Sequence, residues 1–463
     1  MDDIFCRDNL KKGKAAFLSG IGGVSMSALA EYMVNAGLRV SGSDINESAV
    51  TDKLISKGIN VYIGHHAENL SGADFVVRSA AIRDDNAEII EARNLGIPVY
   101  ERARAWGEIM SGYERAICIS GTHGKTTTTG MLTHIAIEAD NDPTVMMGGI
   151  LSVMSGSYRI GNNGMIIAEA CEYCNSFLNF TPTIAAILNV ETDHLDFFKD
   201  IDDIKASFRK FAALTPESGG VVVVNGDDKN ALESVAGLER NIIRFGTGLE
   251  NNVRAENVRE RSGMFSFDIV CEDEFFARVD LNVPGVHNMK NALAAAACSI
   301  AAGFPSDAIE RGLAAFSGVG RRFEFKGERD GITVFDDYAH HPSELSATLT
   351  AAAKMDFGKI VALFQPHTYT RTKALLGDFA EALKLADSVI VCEIYAARER
   401  NPDNYSARVL ANAVKGAQFA ETLEEAHRLL RETARPGDLV LTIGAGDVYK
   451  VGERFVSDSG KTV

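Results

Sequence analysis

A chain of 463 residues is too long for one hydrophobic core, so two to four domains are expected. Its 46% hydrophobic and 24% charged residues are ordinary for a soluble globular protein. A net charge of −16 argues against a nucleic-acid partner, which needs clustered Lys and Arg, yet leaves room for small phosphates.

No apolar run is long enough to span a bilayer, so no membrane insertion is expected. The charged start, MDDIFCRDNLKKGK, lacks the apolar stretch of a signal peptide. Seven dispersed cysteines, an odd number, fit a reducing cytoplasmic setting better than a disulfide framework. Cys171 and Cys174 have C-x-x-C spacing, but no second pair exists to complete a zinc site.

In chain order, the first buried strand is expected in KAAFLSGIGG, and it runs into a glycine turn before a helix. Gly20, Gly22 and Ser25 occupy G-x-G-x-x-G positions with the third glycine replaced. The following strand, RVSGSD, ends in Asp44, where an acidic residue would meet a ribose hydroxyl. Loop amides at the helix start would cradle a diphosphate. An empty βα turn and a dinucleotide site use the same features, but nothing downstream supplies a hydride-transfer centre.

After ADFVVRSAAI, another expected strand, RAICISGTHG leads into CISGTHGKTTTTG. The usual phosphate loop places a glycine six residues before its lysine, whereas here Ile119 holds that place and Gly121 is the first glycine. Gly121 and Gly124 still let amides approach a phosphate, Lys125 supplies charge, and Thr126 sits where a hydroxyl ligates Mg²⁺. Four threonines make a poor helix start, which points to anion and metal binding rather than propensity.

Three further buried strands are expected in GMIIAEA, TIAAILNV and GGVVVVNGDD. The first delivers Glu169; the second leads to Glu191, Asp193, His194 and Asp196, at the strand ends where α/β sheets bind ligands. Residues 263–283 alternate apolar and polar, which predicts a half-exposed antiparallel insert. In NVPGVHNMKN, His287, Asn288 and Asn291 open an alanine-rich helix, the asparagines sharing one face. Amides there could read a purine edge, although capping alone would explain Asn288.

The last α/β set is expected from TVFDDYAHHPSEL, KIVALFQPHT, DSVIVCEIY and GDLVLTIGAG. Asp336, Asp337, Tyr338, His340 and His341 crowd one strand-to-helix turn, but neighbours in such a turn point apart, against a four-ligand metal cage. His367 and Arg371 sit at another strand end, Arg371 suited to a carboxylate. Joints near residues 111–114 and 316–332 divide the chain into 1–113, 114–319 and 320–463.

The ordered set G-x-G-G-x-S-M-S, G-T-H-G-K-T, E-A-C-E-Y, D-H-L-D, G-x-H-N-x-x-N and D-D-Y-A-H-H-P-S-E resembles the Mur ligase family over essentially the whole chain. That family's loop is G-T-x-G-K-T, which accounts for the missing distal glycine. The resemblance implies an α/β protein of three domains: a Rossmann-like UDP-sugar-binding domain, a P-loop ATPase domain, and a Rossmann-like C-terminal domain closing over ATP and bringing the amino acid. It implies a cytoplasmic, ADP-forming acid–amino-acid ligase with Mg²⁺, of the branch that joins L-alanine to UDP-N-acetylmuramate through an acyl phosphate. The GIGGVSMS loop favours that branch over the one that adds a whole peptide.

Carried over by position, Gly20, Gly22, Gly23, Ser25, Met26 and Ser27 would hold the UDP-sugar diphosphate, with Asp44 and Ser79 on the uridine side. Gly121, Thr122, His123, Gly124, Lys125, Thr126 and Thr127 would hold ATP, with Asn288, Asn291, Arg322 and Asp337 meeting it from other segments. Thr126, Glu169 and His194 would hold Mg²⁺, and Tyr338, His340, His341 and Arg371 would face the alanine and muramyl carboxylate. Lys125, Glu169, His194 and His340 carry the catalytic assignment. A lysine carbamylated in related members would fall near Arg209 and Lys210, and this branch is expected to lack it. Thr368 stands where this branch is expected to carry an arginine. A monomer or a homodimer fits equally.

Overall fold

The structure is a computed structural model that describes residues 5–458 apart from 196, 398 and 402, so Asp196 lies outside the described residues. Runs of buried Val, Ile, Leu and Ala build three sheets. In the first, β1 (Ala15–Ser19), β2 (Arg39–Asp44), β3 (Asn60–Ile63), β4 (Phe75–Arg78) and β5 (Val99–Glu101) lie parallel in the order β3-β2-β1-β4-β5. The order reverses beside β1, which puts the Gly20–Gly23 turn at a sheet crevice.

The second sheet holds β6 (Arg115–Ser120), β7 (Thr144–Leu151), β8 (Gly156–Arg159), β9 (Met165–Glu169), β10 (Ile184–Ile187), β11 (Val221–Asn225) and β12 (Asn241–Gly246). It continues through β13 (Val253–Arg261), β14 (Met264–Cys271) and β15 (Glu274–Pro284), in the order β15-β14-β13-β12-β11-β10-β6-β9-β7-β8. β6 is flanked by β9 and β10, with Ile119 paired to Glu169 and Ser120 to Ile187. The loops that leave these three parallel neighbours therefore emerge side by side.

The alternating segment 263–283 forms the antiparallel hairpin β14–β15, as its periodicity predicts, and β13, which precedes it, pairs antiparallel with β14. Phe265, Phe267, Ile269, Val279, Leu281 and Val283 are buried while Asp280 and Asn282 are exposed. It extends the central sheet, because β13 pairs parallel to β12. β7 and β8 had no sequence signal: the glycines and serines of TVMMGGILSVMSGSYR blur any period, and β7 is ordered by pairing with β9.

The third sheet holds β16 (Glu324–Arg329), β17 (Ile332–Asp337), β18 (Ile360–Phe364), β19 (Ser388–Cys392), β20 (Gln418–Ala420) and β21 (Leu439–Ile443). Their order is β16-β17-β21-β18-β19-β20, parallel except for the β16–β17 hairpin. No disulfide forms among the described residues.

The helix Lys125–Glu138 passes through the interior, and it corrects one expectation about its threonines. Thr128 and Thr129 are fully buried with hydroxyls that meet no hydrogen-bond partner, so they are core residues rather than ligand groups. Packing on all sides stabilises this helix where propensity does not.

The first domain is set against the second at Gly107, in the helix Arg102–Met110: a Cβ there would lie 1.8 Å from the carbonyl oxygen of Asn179. Gly107→Ala must push the two domains apart, at a cost of about 1–3 kcal/mol, and lowers the apparent unfolding temperature by calorimetry. Gly377→Ala, in a helix with open space around it, leaves that temperature unchanged or raises it.

Candidate active site

The phosphate loop is a turn only glycines allow. Gly121 has φ +143° and Gly124 φ +82°, and Gly124 caps the helix that begins at Lys125. A Cβ on Gly124 would sit 2.4 Å from Asn291 Oδ1, so the loop lies directly on the helix Val286–Ala301. Asn189, just past β10, braces the loop: its carbonyl accepts from Thr122 N at 3.1 Å, its Oδ1 accepts from His123 N at 2.8 Å, and its Nδ2 donates to His123 O at 3.1 Å.

Lys125 Nζ donates to Gly121 O, to Thr122 O at 3.1 Å and to Glu172 Oε2 at 3.0 Å. Burial works against its ammonium, yet Glu172, with Cys171 and Glu169 nearby, overcomes that and holds its pKa above the ordinary lysine value. Glu172 is only 3% exposed, and burial would raise it, but Lys125 and His194 hold its carboxyl below the usual range. His194 Nε2 lies 3.5 Å from Glu172 and 3.7 Å from Asp193, and Asp193 accepts from Arg371 at 2.9 and 3.2 Å. A chain of contacts thus runs Lys125, Glu172, His194, Asp193, Arg371, from the loop to the third domain. Arg371 holds Asp193 well below the carboxylate range against the effect of burial.

On the other side of the loop, Thr126 Oγ1 donates to Glu169 at 3.0 and 3.1 Å, and Gly148 N donates to Glu169 Oε2 at 2.7 Å. A hydroxyl and a carboxylate in contact form the hard oxygen donor set that Mg²⁺ prefers. Of the three expected metal residues, Thr126 and Glu169 touch, whereas His194 contacts Glu172.

Two clefts flank this centre. One, of about 270 Å³, lies between the second and third domains and is lined by His123, Gly124, Thr127, His287, Asn288, Asn291, Arg322 and Asp337. Asn288 Nδ2 donates to Pro284 O at 2.7 Å, and Asn291 Nδ2 donates to Asn288 Oδ1 at 3.2 Å, leaving Asn291 Oδ1 toward Gly124. Asp337 accepts from Phe323 N and Ala339 N at 2.7 and 2.8 Å, and burial raises its carboxyl to about 6 despite Arg322. Burial likewise lowers His287 to about 4, so its imidazole is neutral.

The other cleft lies between the first and second domains, lined by Gly23, Ser25, Met26, Ser79, Glu169 and Cys171 among others. Asp44 is turned onto the glycine loop, accepting from Gly22 N at 2.9 Å, and a Cβ on Gly20 would meet Ser79 at 3.1 Å. Ser27 is buried with its hydroxyl donated to Val24 O, so its side chain faces no cleft. Trp106 Nε1 donates to Ser25 O at 3.2 Å and so fixes this loop.

In the third domain, His340 and His341 point apart. His340 Nδ1 is 3.0 Å from Tyr338 O, and burial lowers the ring to about 4, so it is neutral with Nδ1 as donor. His341 Nδ1 instead meets Ser343 Oγ at 2.8 Å. Tyr338 lies under the Arg321 and Arg322 guanidiniums, 4.9 and 5.0 Å from its ring centre. Asp336 is taken by Arg321 and Thr442. Thr368 caps a short helix at φ +67° and offers no charge; Arg371, on that helix, is the cation that reaches the centre. Arg209 is tied to Ala236 O at 2.7 Å, and Lys210 is exposed.

Sequence reasoning missed Glu172, Asn189, Ser343 and Glu344. Glu172 stood in E-A-C-E-Y, three residues past Glu169, but only the loop's fold shows that it, and not Glu169, faces Lys125. Ser343 and Glu344 read as ordinary helix-start residues after Pro342, and Glu344 does receive His340 N at 2.9 Å.

Three family models match the chain: the Mur ligase family catalytic domain over residues 18–114, the Mur ligase middle domain over 119–299, and the Mur ligase glutamate ligase domain over 321–446. A UDP-N-acetylmuramate–L-alanine ligase of Acetivibrio thermocellus is 47% identical over 453 residues, covering 96% of each chain. One of Clostridium novyi is 46% identical, covering 98% of each. Among solved structures, a UDP-N-acetylmuramate–alanine ligase of Thermotoga maritima superposes with a TM-score of 0.80 at 30% identity, over 96% of this chain and 98% of that one.

The loop histidine has a pH signature. Burial disfavours the His123 imidazolium, but Glu344 and Glu191 outweigh it and raise its pKa from 6.5 to about 9. A folded-state pKa above the unfolded value stabilises fully below the unfolded pKa and is lost as pH rises through the folded one. The urea midpoint of the native chain should therefore exceed that of His123→Asn most at about pH 6, and the gap should shrink by about pH 9.5.

Proposed function

From the premise that the chain belongs to the Mur ligase family, we propose that it joins L-alanine to the carboxylate of UDP-N-acetylmuramate. ATP becomes ADP and phosphate, in the first peptide-forming step of peptidoglycan precursor synthesis. The observation that carries this reading is the glycine-braced Lys125 loop beside Glu169, set between one cleft fit for a nucleotide and another reached from the Gly20–Ser27 loop. The near-complete coverage by alanine-adding relatives selects the substrate pair within the family.

A carboxylate does not react with an amine, so it must first be phosphorylated; the amine then displaces phosphate through a tetrahedral intermediate. Lys125 would leave part of its contact with Glu172 to meet the transferred phosphate as charge develops there. Thr126 and Glu169, with His194 nearby, are the residues we assign to Mg²⁺, which when bound would offset the negative charge of the phosphates. Asn288, Asn291, Arg322 and Asp337 would hold ATP from the far wall of the cleft. His340, neutral and with Nδ1 donated to Tyr338 O, would present its other nitrogen to the incoming amine, while Tyr338, His341 and Arg371 shape that region. Gly20, Gly22, Gly23, Ser25, Met26 and the backbone at Ser27 would hold the UDP diphosphate, with Asp44 and Ser79 on the uridine side.

We assign these roles to domains 1–113, 114–319 and 320–463, the last closing over ATP to exclude water from the acyl phosphate. No helix among the described residues is long and apolar enough to cross a membrane; we propose a cytoplasmic setting, where ATP is available.

ADP release with UDP-N-acetylmuramate should require L-alanine; turnover with a tripeptide and none with alanine would overturn the substrate assignment. Lys125→Ala should lower kcat by about 10²–10³-fold, and unchanged turnover would remove Lys125 from the chemistry.

A further inference from the structure

Where the second and third domains meet, Ser343 Oγ lies 3.0 Å from His123 Nε2, 3.0 Å from Glu191 Oε2 and 2.8 Å from His341 Nδ1. His123 belongs to the phosphate loop and Glu191 to the exit of β10. His341, Ser343 and Glu344 form the start of the helix Pro342–Ala352 in the third domain. Ligand atoms of His123, Glu191 and His341 lie within 4.8 Å of one another, as around a metal ion. The middle of that triangle is already filled by the Ser343 hydroxyl, so the arrangement is a hydrogen-bonded hub rather than a cation site.

The proton inventory fixes its polarity. Glu191 and Glu344 can only accept, and they flank the two nitrogens of the His123 ring. His123 Nδ1, 3.1 Å from Glu344 Oε1, donates to that carboxylate, while Nε2 faces Ser343 Oγ at 3.0 Å and Glu191 Oε2 at 3.4 Å. Both ring nitrogens of His123 are thus engaged by protein groups, with a third-domain residue on each side. Its main chain, in contrast, is bonded to Asn189 on both sides, and Lys125 is two residues on.

Resting on the reading of this loop as an ATP site, we propose that His123 is a positioning residue. It clasps Ser343 and Glu344 so that the seating of the third domain sets the conformation of the phosphate loop ahead of Lys125. The third domain then does more than cover the nucleotide: it organises the loop that holds it. The side chain clasps, and the Asn189-braced backbone passes the constraint to Gly124 and Lys125.

A double-mutant cycle in the full-length chain tests this, using His123→Asn and Glu344→Gln, with Ser343→Ala as a second route should His123→Asn fold poorly. Affinity for a non-hydrolysable ATP analogue and the steady-state constants are both read. Each single change should lower kcat/KM for ATP about 10- to 100-fold, as for a buried charge-assisted hydrogen bond. The double variant should be no worse than the weaker single variant, because the two residues act as one unit, and KM for the UDP-sugar should stay within about twofold, since the clasp does not touch the first domain. Losses that multiply, or an equal rise in KM for the UDP-sugar, would overturn the clasp. Coupling seen in analogue binding without turnover on alanine supports the clasp and faults the substrate assignment instead.

Discussion

A lysine ammonium that is 13% exposed cannot be left without a counter-charge, and the architecture of the centre follows from that constraint at Lys125. Glu172 supplies the charge, but Glu172 is itself buried and needs partners. His194 shares it, Asp193 shares His194, and Arg371 neutralises Asp193. The chain of pairs ends only in the third domain. Losing Lys125 or Arg371 would leave a buried carboxylate uncompensated, and His194 bridges the two pairs, which is why the loop, the turn after β10 and the Arg371 helix stand in fixed relation. An incoming phosphate chain would rival Glu172 for Lys125, so nucleotide binding and the internal charge balance are coupled.

Topology makes the pairing possible. β6 lies between β9 and β10, so the loops bearing Lys125, Glu169 with Glu172, and Asn189 to His194 leave adjacent strands at one sheet edge. Parallel strands place all their carboxyl ends on that edge. The first domain then approaches Glu169 through the Ser25–Met26 loop, and the third approaches His123 through the start of the helix Pro342–Ala352. Each outer domain thus meets the centre on its own side, and a bound donor and acceptor would face each other across Lys125 and Thr126.

Polar contacts at the two joints differ in kind. Between the first and second domains, Gly107 packs on the Asn179 carbonyl and Tyr158 donates to Glu31 with Lys53 over its ring, contacts that do not involve Lys125 or His123. Between the second and third, the contacts are ion pairs and imidazole bonds that reach Lys125 and His123 directly. A joint of that kind is sensitive to whatever charge enters the cleft beside it.

The sequence by itself determined most of the long buried strands, the order of the α/β sets, the hairpin β14–β15 from its period of two, and the residue types at the strand ends that carry a motif. These are local properties: burial pattern, turn chemistry and spacing are written along the chain. β7 and β8 were not legible because their order comes from pairing with β9, and Thr128 and Thr129 looked like ligand groups until packing buried their hydroxyls. Lys125, Thr126 and Glu169 could be named in advance, since a motif marks each. That Glu172 rather than Glu169 pairs with Lys125, that His123 turns to Ser343 and Glu344, and that Asp193 rather than a free substrate site occupies Arg371 were decided only by the tertiary structure. Those pairings join residues 47 to 221 positions apart, and a buried charge selects its partner by distance in space, which no local pattern encodes.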